Sequence, residues 1–262
     1  MIPLPSQPKI VQKQDCLAVF EIAGLYPGYG ATIGNSLRRV LLSSLPGAAV
    51  TQVKIKGVQH EFSTIPGVME DVITILLNIK QFRFKLHTDE PQRATLSCKG
   101  IKIVKASAFE APSQLELINK EAHLATLTAK SSSLEIEILV EKGLGYEPVE
   151  ARKIGKLEIG TIAVDAIFTP VRKVSYRVEN MRVGEKTDFD KLILELETDG
   201  TLTPEEVFSQ AADILVKHFV LLQESFKEVE KPFEEPSLAE KKIKKNPVKN
   251  KKHEKKTKRK KV

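Results

Sequence analysis

GYGATIGNSLRRVLLSS, residues 28–44, is the stretch that decides how this chain reads. Before it, residues 15–22 are rich in β-forming side chains and predict a strand. Pro27, Gly28, Tyr29 and Gly30 then make a turn of punctuating residues. A helix is predicted over about 32–45, stopped by Pro46-Gly47. A strand, a glycine turn and a helix suggest a dinucleotide site. The glycines at 28, 30 and 34, however, are spaced G-x-G-x-x-x-G, one longer than the usual fingerprint. The next strand, about 53–57, reads VKIKG and has no acidic residue at its end. The glycines alone are a weak signal for phosphate.

The helix itself is more informative. At about 100° per residue, Ile33, Leu37, Val40 and Leu41 share one face. Asn35, Ser36, Arg39 and Ser43 fall on another. Leu42 points away from the main apolar face, beside Arg38. Such a helix suits burial on one side and contact with a partner on the other. Arg38 and Arg39 project about 100° apart, so one local ion pair cannot serve both. A guanidinium carries five donors in a rigid fork, which makes arginine a favoured interface anchor.

Outward from this helix, a second one is predicted over about 68–80. Val68, Val72, Leu76 and Ile79 lie on one face, with Glu70 and Asp71 in the first turn and Lys80 in the last. Residues 82–169 show mostly short alternating strands, clearest at Leu134, Ile136 and Ile138. Residues 142–149 (KGLGYEPV) predict an irregular segment. Strands are expected over 173–178 and 191–197. Thr203, Pro204 and Glu206 form a strong helix start, a capping box with proline at the first helical position. That helix is expected to continue to about Glu228. Its apolar stripe, from Val207 to Phe226, is broader than one small core requires and suggests packing on another chain.

At 262 residues and 41% hydrophobic content the chain can bury a sizeable core. No apolar run approaches the roughly 18 residues of a membrane span, and no secretory signal pattern opens the sequence. Cys16 and Cys98 are far apart and five histidines fall in no ligand spacing, so neither a disulfide framework, a metal site nor a cofactor is expected. The net charge of +7 is unevenly placed. Residues 238–262 hold 13 Lys/Arg against 2 Asp/Glu, a net of +11, and the remainder holds 28 against 32, a net of −4. The folded body therefore has no broad basic footprint for nucleic acid. The lysine-rich end, 231–262, is expected to be disordered and able to touch phosphates without sequence preference.

Residues 28–47 (GYGATIGNSLRRVLLSSLPG) resemble the signature of the bacterial RNA polymerase α-subunit family. The resemblance continues at 57–64 (GVQHEFST), 67–72 (GVMEDV), 76–80 (LLNIK), 143–148 (GLGYEP), 164–170 (VDAIFTP), 187–192 (TDFDKL) and 197–201 (ETDGT). It implies an α+β fold of two lobes. A dimerisation lobe of sheet plus helices would combine 1–46 with 171–230, and a mostly β lobe, 47–170, would be inserted in it. It also implies a homodimer that scaffolds the β and β′ subunits, with ω in the complete core. Catalysis of nucleotidyl transfer would belong to the other chains, with no catalytic residue here. Residue by residue, Asn35, Arg38, Arg39 and Lys80 match positions expected to bind β. Lys173, Tyr176, Arg177 and Arg182 match a region near the large subunits. Ile33, Leu37, Leu41, Phe208, Ala211, Leu215 and Leu222 would line the dimer interface. The expected setting is the bacterial cytoplasm near the nucleoid, or a plastid stroma. Family members usually carry a further small DNA-contacting domain. This chain departs from that pattern after about residue 230, so promoter contact through such a domain is not expected.

Overall fold

The computed structural model describes residues 2–152 and 158–227. Its elements run, in order, β1 (Lys9–Gln14), β2 (Leu17–Leu25), α1 (Tyr29–Ser43), β3 (Pro46–Ile55), α2 (Val72–Lys80), β4 (Phe84–Leu86), β5 (Gln92–Lys99), β6 (Lys102–Lys105), β7 (Leu115–Leu117) and β8 (His123–Leu127). They continue with β9 (Ser133–Leu144), β10 (Tyr146–Glu147), β11 (Thr161–Ala163), β12 (Ala166–Ile167), β13 (Val171–Val183), β14 (Lys186–Thr198) and α3 (Pro204–Lys227). The chain divides into two compact units, Met1–Leu221 and Leu222–Val262. The described part of the second is the end of α3.

The fold is α+β. One antiparallel sheet has the order β1-β2-β14-β13, joining the first strands to the last. Strand β14 shows why it lies at the centre. Leu192, Leu194 and Leu196 are fully buried and alternate with Lys191, Ile193 and Glu195. The alternation sends three leucines to one face, where burial contributes roughly 1.5–3 kcal/mol each. Helices α1 and α3 cover that face. Leu37 and Leu41 from α1 and Val207 and Ala211 from α3 meet Ala18, Phe20 and Leu194. The ring of Phe208 stacks on Phe20 with centroids 4.7 Å apart.

The second sheet has the order β5-β9-β3-β4-β7, with β11 added to β3. Leu134, Ile136, Ile138 and Val140 of β9 point into a core closed by Val72, Ile75 and Ile79 of α2. Two small pairs, β6-β8 and β10-β12, complete the strands.

Several local expectations shift. The strand expected at 15–22 is half of a hairpin, because β1 and β2 pair with Lys13 opposite Ala18. The Pro46-Gly47 stop is also the start of β3, paired to Leu144 and Gly143. The segment expected to be irregular supplies the end of β9 and β10. Gly143 is needed there because a Cβ would stand 2.4 Å from the Phe168 ring. Helix α2 begins at Val72, four residues later than expected, since Asp71 accepts the Thr74 N–H as N-cap. Glu70 turns away to bond β8. The capping box of α3 forms as expected: Thr203 N–H donates to Glu206 Oε2 at 3.0 Å, and Glu206 N–H donates to Thr203 Oγ1 at 3.4 Å. The expected helix end at Glu228 and the tail 231–262 lie outside the described residues.

Candidate protein-interaction surface

Helix α1 sits on the sheet through its backbone. At Gly30 an added Cβ would stand 2.8 Å from Val178 Cγ1, and at Gly34 it would stand 2.6 Å from the Tyr176 ring and 2.8 Å from Leu192 Cδ1. Two glycines one turn apart thus form the contact ridge against β13 and β14. The helix start is held by Asp190, which is buried on β14. Its Oδ2 accepts the N–H of Gly28 at 2.9 Å and of Gly30 at 3.0 Å, with Gly28 at φ 84°. A helix N-terminus can bind an anionic phosphate through its free N–H groups. Here the chain's own carboxylate occupies them, which argues against the dinucleotide alternative. The sequence motif TDFDKL carries Asp190, but nothing local marks it as the partner of a turn about 160 residues earlier.

Seated this way, α1 turns Asn35, Arg38, Arg39 and Leu42 to solvent. Among the described residues neither Arg38 nor Arg39 has an ion-pair partner. Leu42 is 36% exposed beside them. Ile33 is half-buried and packs on the core, while Leu37 and Leu41 are buried in it. Leu37 and Leu41 therefore secure α1 to its own sheet. Ala211 is likewise fully buried, on α3. Phe208 and Leu215 are half-buried against that core.

Beyond Leu215 the helix α3 changes character. Every residue from Val216 to Ser225 is exposed. Val216, Phe219, Val220 and Leu222 are among them, with Phe219 61% exposed. Large apolar groups on a solvent-facing helix end are a hallmark of a protein contact.

Lys80 lies on α2, away from the arginine pair in sequence and element. Its Nζ is 3.1 Å from Asp165 Oδ2. Asp165 also accepts the Val149 N–H at 3.1 Å. That backbone bond, then Lys80, holds its carboxyl below the usual range. The pair borders a groove of about 490 Å³ that includes Phe62, Ile73, Leu77 and Val164.

The residues of β13 divide between two faces. Lys173 and Arg177 lie on the face opposite the helices, the first paired to β14 and the second along β13 itself. Lys173 Nζ is 3.2 Å from Glu195 Oε1, and Arg177 Nε is 3.2 Å from Glu179. Lys173, then the Ser175 hydroxyl, lowers the Glu195 carboxyl. Tyr176 points the other way, under Gly34, so its ring supports α1 and does not share a surface with Lys173 and Arg177. Arg182 is exposed near the hairpin turn, where its Nε donates to the Gly184 carbonyl at 2.7 Å. Among the described residues no group of three or more His, Cys, Asp or Glu could hold a metal ion. No helix of the described residues is long and apolar enough to cross a membrane.

Residues 53–169 match the family model described as the RNA polymerase Rpb3/RpoA insert domain. Relatives named DNA-directed RNA polymerase subunit alpha match most of the chain. That of Roseiflexus sp. strain RS-1 is 50% identical over 199 residues, 76% of this chain and 61% of its own length. That of Carboxydothermus hydrogenoformans is 47% identical over 247 residues, 92% of this chain and 79% of its own. That of Symbiobacterium thermophilum is 47% identical over 224 residues, 84% and 71% respectively. The chain thus spans less than two thirds of the Roseiflexus relative and more than two thirds of the other two.

Proposed function

Because the chain belongs to the family of bacterial DNA-directed RNA polymerase α subunits, we propose that it is the dimeric scaffold on which the β and β′ subunits assemble. The observation that carries this is the exposed apolar end of α3, where Val216, Phe219, Val220 and Leu222 all face solvent within two turns of one helix. A second copy of the chain is the natural cover, since an isologous contact doubles every apolar residue it includes. The dimerising lobe would be the first sheet with α1 and α3, residues 1–46 and 171–230. The second sheet, 47–170, would be the inserted lobe.

In the dimer each protomer offers the same two surfaces, one around Arg38, Arg39, Asn35 and Leu42, the other around Lys80. The first protomer would take β and the second β′, so symmetry is lost only on assembly, and ω would join the complete core. Lys173, Arg177 and Arg182 offer further exposed cations. The nucleotidyl transfer is assigned to the other chains, and this chain contributes geometry. The setting that fits is the bacterial cytoplasm.

Mixing the purified chain with β, then β′, tests this. The expected particle holds two copies of the chain and one of each large subunit by native mass spectrometry. A chain that stays monomeric and binds neither subunit overturns the proposal. The +11 segment at residues 238–262 would add a non-specific phosphate contact through counterion release. Removing it should flatten the salt dependence of DNA binding while assembly survives.

A further inference from the structure

Arg83 follows α2 directly and is drawn out of solvent. Its side chain is 18% exposed, and that of its partner Asp199 is 5% exposed. The guanidinium Nη1 donates to the carbonyls of Lys80 at 3.0 Å and Phe82 at 3.2 Å, at the C-terminal end of α2. The Arg83 backbone is tied to the same sheet. Its N–H donates to Asn119 Oδ1 at 2.8 Å and its carbonyl accepts the Ile118 N–H at 2.9 Å. From this base Nε reaches to 3.3 Å from Asp199 Oδ2.

Asp199 belongs to the other sheet. It follows β14 and precedes α3, and its N–H donates to the Pro170 carbonyl at 2.9 Å. Its Oδ1 is held by the Thr201 N–H at 3.0 Å and the Thr201 hydroxyl at 2.6 Å. Both partners are therefore rigidly mounted, each on its own sheet. Among the described residues this is the one ion pair that joins residues 46–163 to the sheet of β1, β2, β13 and β14.

Beside the ion pair the two sheets face each other. An open cleft of about 340 Å³ separates them, lined by Pro46, Phe84 and Leu86 on one side and Leu202 and Gln210 on the other. Arg83 Nε makes no well-aligned hydrogen bond, so the link to Asp199 rests on charge. Two charges withdrawn from water hold one another firmly, and removing either leaves the other uncompensated.

We propose that Arg83 and Asp199 are positioning residues: their ion pair sets the angle between the two sheets. It thereby holds the α2 surface at Lys80 in register with α1 and α3. The consequence for assembly rests on the scaffold function proposed above, whereas the angle itself does not. A large subunit that touches both sheets would meet a preorganised surface and lose less freedom on binding.

The test uses the full chain with spin labels at Lys130→Cys and Glu185→Cys, Cys16→Ser and Cys98→Ala replacing the native thiols. Both label sites are exposed, one in the turn before β9 and one in the turn between β13 and β14. Labelled chain is diluted with unlabelled chain so that distances within one protomer dominate. Arg83→Met and Asp199→Asn should each at least double the width of the distance distribution. They should also weaken β binding about tenfold with the dimer mass unchanged. The double variant Arg83→Met/Asp199→Leu removes the uncompensated charge, so it should regain the melting temperature and still show the broad distribution. That separates positioning from stability. A narrow distribution in the double variant overturns the proposal, as does recovery of β binding together with the melting temperature. If the unsubstituted chain does not bind β, the scaffold function fails, and the distance widths still decide the joint.

Discussion

Arg39 and Gly34 sit less than two turns apart on α1 and do opposite jobs. Arg39 faces solvent with no ion-pair partner among the described residues, so its donors are free for another chain. Anchors of this kind are worth about 2 kcal/mol when truncated, roughly 30-fold in Kd. Arg39→Ala should weaken the complex with β by about that factor, measured by titration, while sedimentation still reports a dimer. Unchanged affinity would remove Arg39 from the interface. Gly34 faces inward. In an exposed helix, Gly→Ala stabilises by about 1 kcal/mol through backbone entropy. At Gly34 the added methyl would stand 2.6 Å from Tyr176 and 2.8 Å from Leu192, and overpacking costs about 1–3 kcal/mol. The steric effect wins, so Gly34→Ala should lower the urea midpoint.

At the scale of elements, α3 is two helices in one. Its first half is a sheet cover, started by the Thr203–Glu206 box and buried at Val207 and Ala211. Its second half has exposed apolar residues at 216, 219, 220 and 222. Burying a phenylalanine contributes roughly 1.5–3 kcal/mol, and a two-fold interface counts it twice. Phe219→Ala should therefore weaken the dimer by more than 100-fold in Kd by sedimentation equilibrium, with the protomer's circular dichroism intact. Helix α2 depends on an anchor just before it. Glu70 Oε2 accepts the Thr126 N–H at 2.6 Å, and Oε1 meets His123 Nε2 at 2.9 Å and the Thr126 hydroxyl at 3.1 Å. Burial works to raise its pKa, yet these donors together hold it below its ordinary value of 4.5. A carboxyl lowered in the folded state contributes stability above its unfolded pKa and loses it as pH falls through the folded value. The urea midpoint should thus fall from about pH 5 to about pH 3 more for the unsubstituted chain than for Glu70→Gln. Equal losses would show that the Glu70 bonds do not govern this segment.

Across the whole molecule, the first sheet is closed by residues far apart in sequence, with Leu17 opposite Glu197 and Phe20 opposite Leu194. The second sheet is built from the intervening chain and reaches the first at the Arg83–Asp199 contact. Much of this was legible beforehand. The alternation of Leu192, Leu194 and Leu196, the Thr203 capping box and the outward arginines each depend on a period or a local bond within a few residues. Those features are properties of the backbone geometry, so spacing alone reveals them. Other features were not legible. Leu37, Leu41 and Ala211 read as interface residues because an apolar stripe looks the same whether its cover is its own sheet or another chain. The family resemblance groups Tyr176 with Lys173 and Arg177, and alternation names two faces without saying which one a helix will occupy. Asp190 gave no local sign that it would cap a helix about 160 residues earlier. By itself, then, the sequence determined the α+β class, the start of α3, the outward placing of Arg38 and Arg39, and the family. Only the tertiary structure decided which apolar face is covered within the chain, that the loop amides are satisfied by Asp190, and that Arg83 meets Asp199. These are contacts between distant segments, and their energies depend on packing that no local spacing encodes.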